Sequence, residues 1–212
     1  MRSPVQWRRL PGLVTLLPFG SESAWVDGAN RAVAKRDYPG LSELVSVSEA
    51  LSGAGVVHAL GGTGLLFGLG FDVEPRDWDI LTEAPVEHIK LALRDWPIRL
   101  AGPSRFFPSD YLVQIPVGES NIEIIGNFAI AAPGRVFRIP TRIRGRFRGI
   151  PLSHPADWIL AYRAMEWLPL EDSRPDGQKI AMLERALRRK EHLAGAGTRP
   201  VVSANDPTGL GL

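Results

Sequence analysis

The run Val56-Val57-His58-Ala59-Leu60-Gly61-Gly62-Thr63-Gly64-Leu65-Leu66-Phe67-Gly68-Leu69-Gly70 is followed shortly by Arg76-Asp77-Trp78-Asp79-Ile80-Leu81. An apolar strand, a glycine turn, a short helix and a second strand fit this order, because the apolar pattern changes at each glycine. Side chains of a strand repeat every two residues. Asp77 and Asp79 therefore share one face, about 6.5–7 Å apart along the strand. Carboxylates that close repel unless a cation lies between them. A glycine turn beside them offers backbone N–H groups and the positive end of a helix. Hard oxygen ligands next to free N–H groups suit a divalent cation and a phosphate.

The common phosphate motifs are absent. No Gly-x4-Gly-Lys-Ser/Thr loop occurs, and a dinucleotide fingerprint begun at Gly62-Thr63-Gly64 meets the bulky Phe67 where a small residue is needed. The ordered set Gly61-Gly62-Thr63, Asp77-Trp78-Asp79 and Glu123, within Asn121-Ile122-Glu123-Ile124-Ile125-Gly126, instead resembles the nucleotidyltransferase superfamily of DNA polymerase beta. The likeness covers about residues 41–185 and leans toward small bacterial proteins of the abortive-infection and toxin–antitoxin type. It implies the nucleotidyltransferase fold and transfer of a nucleotidyl group from a nucleoside triphosphate to a hydroxyl of an RNA, a protein or a small molecule. It also implies Mg2+ or Mn2+ as cofactor. Carried over residue by residue, Asp77, Asp79 and Glu123 become the metal-binding and catalytic acids. Gly61, Gly62 and Thr63 become the nucleotide-binding turn. Three departures accompany the likeness. Val73-Glu74-Pro75-Arg76 replaces an Arg-x-Thr-x run before the first Asp, Tyr162-Arg163 stands where relatives carry a helical Lys, and Arg174-Pro175-Asp176-Gly177 replaces Arg-x-Lys-Asp. Arg163 or Lys179 is then expected to take the place of the missing phosphate-binding Lys.

Composition bounds these readings. A chain of 212 residues that is 44% hydrophobic can bury a real core, as one domain with extensions or as one and a half domains. It has no cysteine, which excludes a disulfide framework and thiolate chemistry. A net charge of +2 is too small to argue for nucleic-acid binding. No uninterrupted apolar window of about 18 residues exists, so no membrane span is expected. Arg2, Arg8 and Arg9 precede a short apolar stretch with the faint outline of a secretory signal, but Pro11 and Pro18 break it. Cytoplasmic residence is the expectation.

Four parts follow along the chain: an N-terminal arm over 1–40, the core over 41–150, a C-terminal helical part over 151–194 and a mobile tail over 195–212. Apolar spacing predicts helices over 41–51, 63–69, 85–95, 155–168 and 176–193, with Thr63 capping the second. Strands are expected over 56–60, 78–82, 98–101, 136–139 and 143–150. A hairpin is expected over 111–116 and 122–126. This order predicts an α/β (α+β) fold, a mixed central sheet with helices mainly on one side.

Two other features compete with the acids. Arg142, Arg144, Arg146 and Arg148 alternate with Ile143, Gly145 and Phe147, so one continuous strand would set four guanidinium groups on one face, roughly 7 Å apart. Guanidinium forks match phosphates, and the chain could then act as an RNA-binding module through 142–148. A second alternative keeps the fold without chemistry, as a nucleotide sensor or partner-binding protein. The four histidines, at 58, 88, 154 and 192, have no metal-ligand spacing and read as structural. Trp158, Tyr162, Met165 and Trp167 read as core residues of their helix rather than as a stacking platform.

Overall fold

The computed structural model describes residues 38–168 and 177–195. The arm over 1–37, the tail from 196 and Arg174-Pro175-Asp176 lie outside the described residues. In chain order the elements are α1 (Leu41–Gly53), β1 (His58–Leu60), α2 (Gly62–Gly68), β2 (Trp78–Thr82), α3 (Val86–Ala92), β3 (Arg99–Ala101), β4 (Tyr111–Val117), β5 (Ser120–Gly126), β6 (Ala129–Ala132), β7 (Arg135–Arg138), β8 (Ile143–Phe147), β9 (Ile150–Ser153), α4 (Pro155–Met165) and α5 (Gly177–Gly195). Seven strands form a mixed sheet in the order β3-β4-β5-β2-β1-β9-β8, and β6 and β7 form a separate pair. The fold is the mixed α/β arrangement expected from the sequence. Among the described residues, no helix is long and apolar enough to cross a membrane.

The strand carrying Asp79, which Asp77 immediately precedes, is the middle one of seven. β2 runs antiparallel to β1 and parallel to β5, and β5 turns back into β4 through Gly118-Glu119. Alternation then sorts the side chains. Trp78 and Ile80 share a face with Ile122, Ile124, Val113 and Ile115, and all six are fully buried. Asp79, Glu123, Gln114, Ile125 and Leu112 point to the opposite face, where burial is only partial. One face of the sheet is thus closed by core, and the other is left to line a cleft.

The closed face is fixed by large aromatic side chains. Phe67 of α2 meets Tyr38, Trp78 and Phe147 edge to face, with ring centroids 4.6, 5.7 and 5.5 Å away. The Trp78 indole donates to the Pro39 carbonyl at 3.1 Å, which pins this ring away from the acids. Helix α1 has no side-chain cap, and its buried positions are Leu41, Leu44, Val47, Ser48 and Leu51. That spacing is one face of a helix. Each such apolar side chain contributes roughly 1.5–3 kcal/mol on burial, which exceeds what a missing cap costs. Ser48 closes the packing through a 2.8 Å hydrogen bond to His58 Nε2, while His58 Nδ1 meets the Val56 carbonyl at 2.9 Å. Burial holds the His58 pKa below its ordinary value, so this ring is a neutral structural spacer, as expected.

Three local expectations change. Helix α2 is capped by Gly61 and starts at Gly62, so Thr63 lies inside its first turn and caps nothing. The strand expected over 143–150 is a hairpin: β8 and β9 are joined by Arg148 and Gly149, at φ 50° and 83°. Two successive residues with positive φ are the signature of a tight hairpin turn. Strand β6 went unforeseen because Ala129–Ala132 is too short, with Ile130 the one large side chain among alanines, to show a period.

Candidate active site

The acids occupy the centre of the half-open face. Asp79 and Glu123 are register partners on the parallel strands β2 and β5, and Gln114 is the partner of Glu123 on β4. The three side chains form a row across adjacent strands, which lie about 4.8 Å apart. Gln114 Nε2 donates to Glu123 Oε1 at 2.8 Å, so the glutamate is held by an amide rather than by a cation. Asp77 precedes β2. Its Oδ1 accepts the Asn121 backbone N–H at 3.0 Å and the Asn121 side-chain amide at 3.4 Å.

Asp79 is the electrostatic focus. Its pKa is pushed up from the ordinary 3.8 to about 7, chiefly by burial, then by the charges of Glu123 and Asp77, with Lys179 pulling it back. The site thus gathers more negative charge than its cations balance, a condition that a divalent ion relieves.

The glycine turn is built against this carboxylate. The Gly61 N–H donates to the Asp79 carbonyl at 2.7 Å. Gly62 has φ 53°, and a Cβ there would overlap Asp79 Oδ2. A side chain at Gly61 would strike the Trp158 ring. Both glycines are therefore required by close approach, one to the acid and the other to α4.

Two cavities share the acids. A polar one of about 580 Å³ is lined by Asp72, Glu74, Arg76, Asp77, Gln178 and Lys179, together with Thr63, Asp79 and Glu123. An aromatic one of about 350 Å³ lies on the other side of Asp79 and Glu123, against Phe107, Phe128, Trp158, Tyr162 and Met165. Its rings form a chain. Phe128 stacks on Phe107 at 6.4 Å and on Trp158 at 5.7 Å, and Trp158 leans on Tyr162 at 5.6 Å. Lys179 Nζ sits 5.0 Å from the centre of the Tyr162 ring and lines both cavities.

Of the residues expected at the site, Asp77, Asp79, Glu123, Thr63 and Lys179 line the polar cavity, and Gly62 lines the aromatic one. Arg163 lines neither, and its guanidinium meets Glu184 at 3.3 Å. Trp158, Tyr162 and Met165 are core residues of α4 and also form a wall of the cleft, whereas Trp167, expected in the core with them, lies past the end of the helix and is 66% exposed. Sequence reasoning missed Gln114, Phe107 and Phe128. Among the described residues, no three His, Asp or Glu side chains are arranged to close on one ion. The donor set still suits Mg2+, which takes one or two carboxylates and completes its shell with phosphates and water.

The arginine row departs from its expected form. A register shift between Ile143 and Gly145 interrupts β8, so the four side chains do not follow one unbroken alternation. Arg142 is committed to Asp157 of α4 through both carboxylate oxygens, its Nε at 2.8 Å from Oδ2. Arg146 donates to the Gly149 carbonyl at 2.9 Å.

Neither a protein-family model nor a curated protein matches the chain. Among solved structures, a candidate nucleotidyltransferase from Thermotoga maritima is 18% identical with a TM-score of 0.45, over 73% of this chain and 92% of the other. ANT(2″)-Ia in complex with adenylyl-2″-tobramycin is 12% identical with a TM-score of 0.49, over 73% and 94%. The Thermotoga maritima CCA-adding enzyme complexed with tRNA is 15% identical with a TM-score of 0.34, over 76% and 45%. At these scores the likenesses assign no function.

Proposed function

We propose that the chain binds a nucleoside triphosphate with Mg2+ or Mn2+ across Asp77, Asp79 and Glu123 and transfers its nucleotidyl group to a hydroxyl. The observation that carries this reading is the in-register pair Asp79–Glu123, with Asp77 two residues upstream and Gly62 pressed against the Asp79 carboxylate. Asp77 and Asp79 would hold the cation, which when bound neutralises phosphate charge and polarises the reacting phosphate. Lys179 adds a positive charge at the junction of the two cavities, as the sequence likeness suggested for the missing lysine. Glu123, oriented by Gln114, would accept the proton of the attacking hydroxyl. The chain's own contribution is positioning and charge balance. Pyrophosphate release, measured with each of the four nucleotides, magnesium and a panel of hydroxyl acceptors, tests the reading. Nucleotide binding measured by calorimetry on the same samples separates an inactive site from an empty one. No nucleotide binding with magnesium would sink the proposal.

A second reading has its own support. Asp77 already accepts two hydrogen bonds from Asn121, and no three acids close on one ion among the described residues. Such a site would bind nucleotide and transfer nothing, as a sensor does. Magnesium-dependent nucleotide binding without pyrophosphate release across all acceptors favours it.

A further inference from the structure

The half-open face of the sheet changes character along its strands. On β5, Asn121, Glu123 and Ile125 alternate onto this face, and on β4 Gln114 is followed by Leu112. Asp77 and Asn121 mark the polar end, Leu112 and Ile125 the apolar end, and Asp79 and Glu123 the boundary. The two cavities follow this gradient. Arg76, Asp72, Glu74 and Asp77 face only the polar one. Among the described residues, the charged side chains facing the aromatic one are Asp79, Glu123 and Lys179, all of which belong to the boundary.

We propose that the aromatic cavity is the acceptor subsite and takes an uncharged, ring-bearing alcohol; this assignment rests on the nucleotidyl-transfer reading above. Two arguments lead there. In a displacement at phosphorus, the attacking and leaving oxygens lie in line on opposite sides. If pyrophosphate leaves toward the polar cavity, where Arg76 and a cation held by the acids would offset its charge, the hydroxyl arrives from the aromatic side, beside Glu123. A new oxygen–phosphorus ester bond forms, the α–β phosphoanhydride bond breaks, pyrophosphate leaves and the hydroxyl proton passes to the Glu123 carboxylate. The wall then selects the acceptor. Phe107, Phe128, Trp158 and Tyr162 line it with aromatic surface that suits a planar or apolar body, and a volume near 350 Å³ suits one small molecule. A polycation would find only the two boundary carboxylates there, facing Lys179. A nucleic-acid backbone would find no row of cations.

The test uses 2-naphthol as the neutral ring alcohol and spermine as the polycation, each titrated into the full chain by ligand-detected NMR without nucleotide. The expected result is saturable binding of 2-naphthol, with spermine weaker by about tenfold or more. Leu112→Trp from the sheet and Met165→Trp from α4 each fill the cavity. Either variant that melts like wild type should weaken 2-naphthol by about tenfold or more and leave ATP–magnesium affinity within about twofold. Spermine binding as tightly as 2-naphthol would overturn the proposal. So would 2-naphthol affinity unchanged in a folded variant. Parallel loss of ATP affinity would overturn it too, by giving the cavity to the nucleobase. If wild type binds no ATP with magnesium, the transferase reading fails on that measurement alone, while the titrations still decide the cavity's ligand class.

Discussion

Asp79 and Glu123 face each other across two parallel strands, and their mutual repulsion is part of what lifts the Asp79 pKa to about 7. Two carboxylates that local turns do not bring together are thus placed side by side by sheet register. The proton that Asp79 keeps near neutrality is the one a metal ion would displace.

A pH dependence follows. The folded protein holds a proton on Asp79 up to about 7, whereas the unfolded chain releases it near 3.8. Between these values the native state binds more protons, so stability of the free protein falls as pH rises through this window. Asp79→Asn should flatten that slope and be the more stable form at pH 8. Denaturant melts of both forms at pH 5 and pH 8 check this; equal slopes would rule out the assigned role of Asp79. Cation binding should also release a proton near pH 7, seen as a buffer-dependent calorimetric enthalpy.

Glu123→Gln should retain most of the affinity for nucleotide with magnesium and lose transfer by about 10²–10⁴-fold, since a base acts chiefly in the transition state. Gln114→Leu should lower turnover less, because it frees Glu123 without removing it. Pyrophosphate release and calorimetry on both variants read the difference. An unchanged rate in Glu123→Gln would remove the base role.

Gly62→Ala should be harmful on two counts. The residue sits at positive φ, and its new methyl would overlap the Asp79 carboxylate. A strained backbone costs about 1–3 kcal/mol, and displacement of Asp79 should abolish magnesium-dependent nucleotide binding. Urea melts and calorimetry give the two readouts; wild-type affinity would show that the turn does not shape the site.

Arg142→Ala leaves the carboxylate of Asp157 without its partner, and that carboxylate is 6% exposed against 58% for Arg142. A destabilisation of about 2–3 kcal/mol is expected, below that of a fully buried pair because the arginine reaches solvent. Asp157→Asn should cost less. If Arg142→Ala instead leaves the melt unchanged, the pair does not fasten α4 to the sheet.

The sequence carried the local parts of this site and missed the ones that depend on distant pairing. The strand, the glycine turn and the Asp-x-Asp strand were visible because each is a short-range pattern of apolar period and glycine. Gln114 could also have been found. A two-residue turn at Gly118-Glu119 pairs Val117 with Ser120, and counting outward pairs Gln114 with Glu123. The Asp79–Glu123 register was out of reach, since parallel neighbours are joined by a long crossover that imposes no count. The aromatic wall was hidden for a related reason. Phe107, Phe128 and Trp158 come from a loop, a strand junction and a late helix, and only the folded chain stacks them. The arginine row misled because positive φ at Arg148 and a register shift near Gly145 break an alternation that looks perfect in print.

The central placement of β2 has a dynamic consequence. With three strands on either side, its backbone amides are bonded on both edges, and local opening proceeds from the periphery inward. Amide hydrogens around Asp79 should therefore exchange among the slowest in the protein, and those of the edge strands β3 and β8 sooner. Local opening at the sheet edges would then leave the spacing of Asp79 and Glu123 intact.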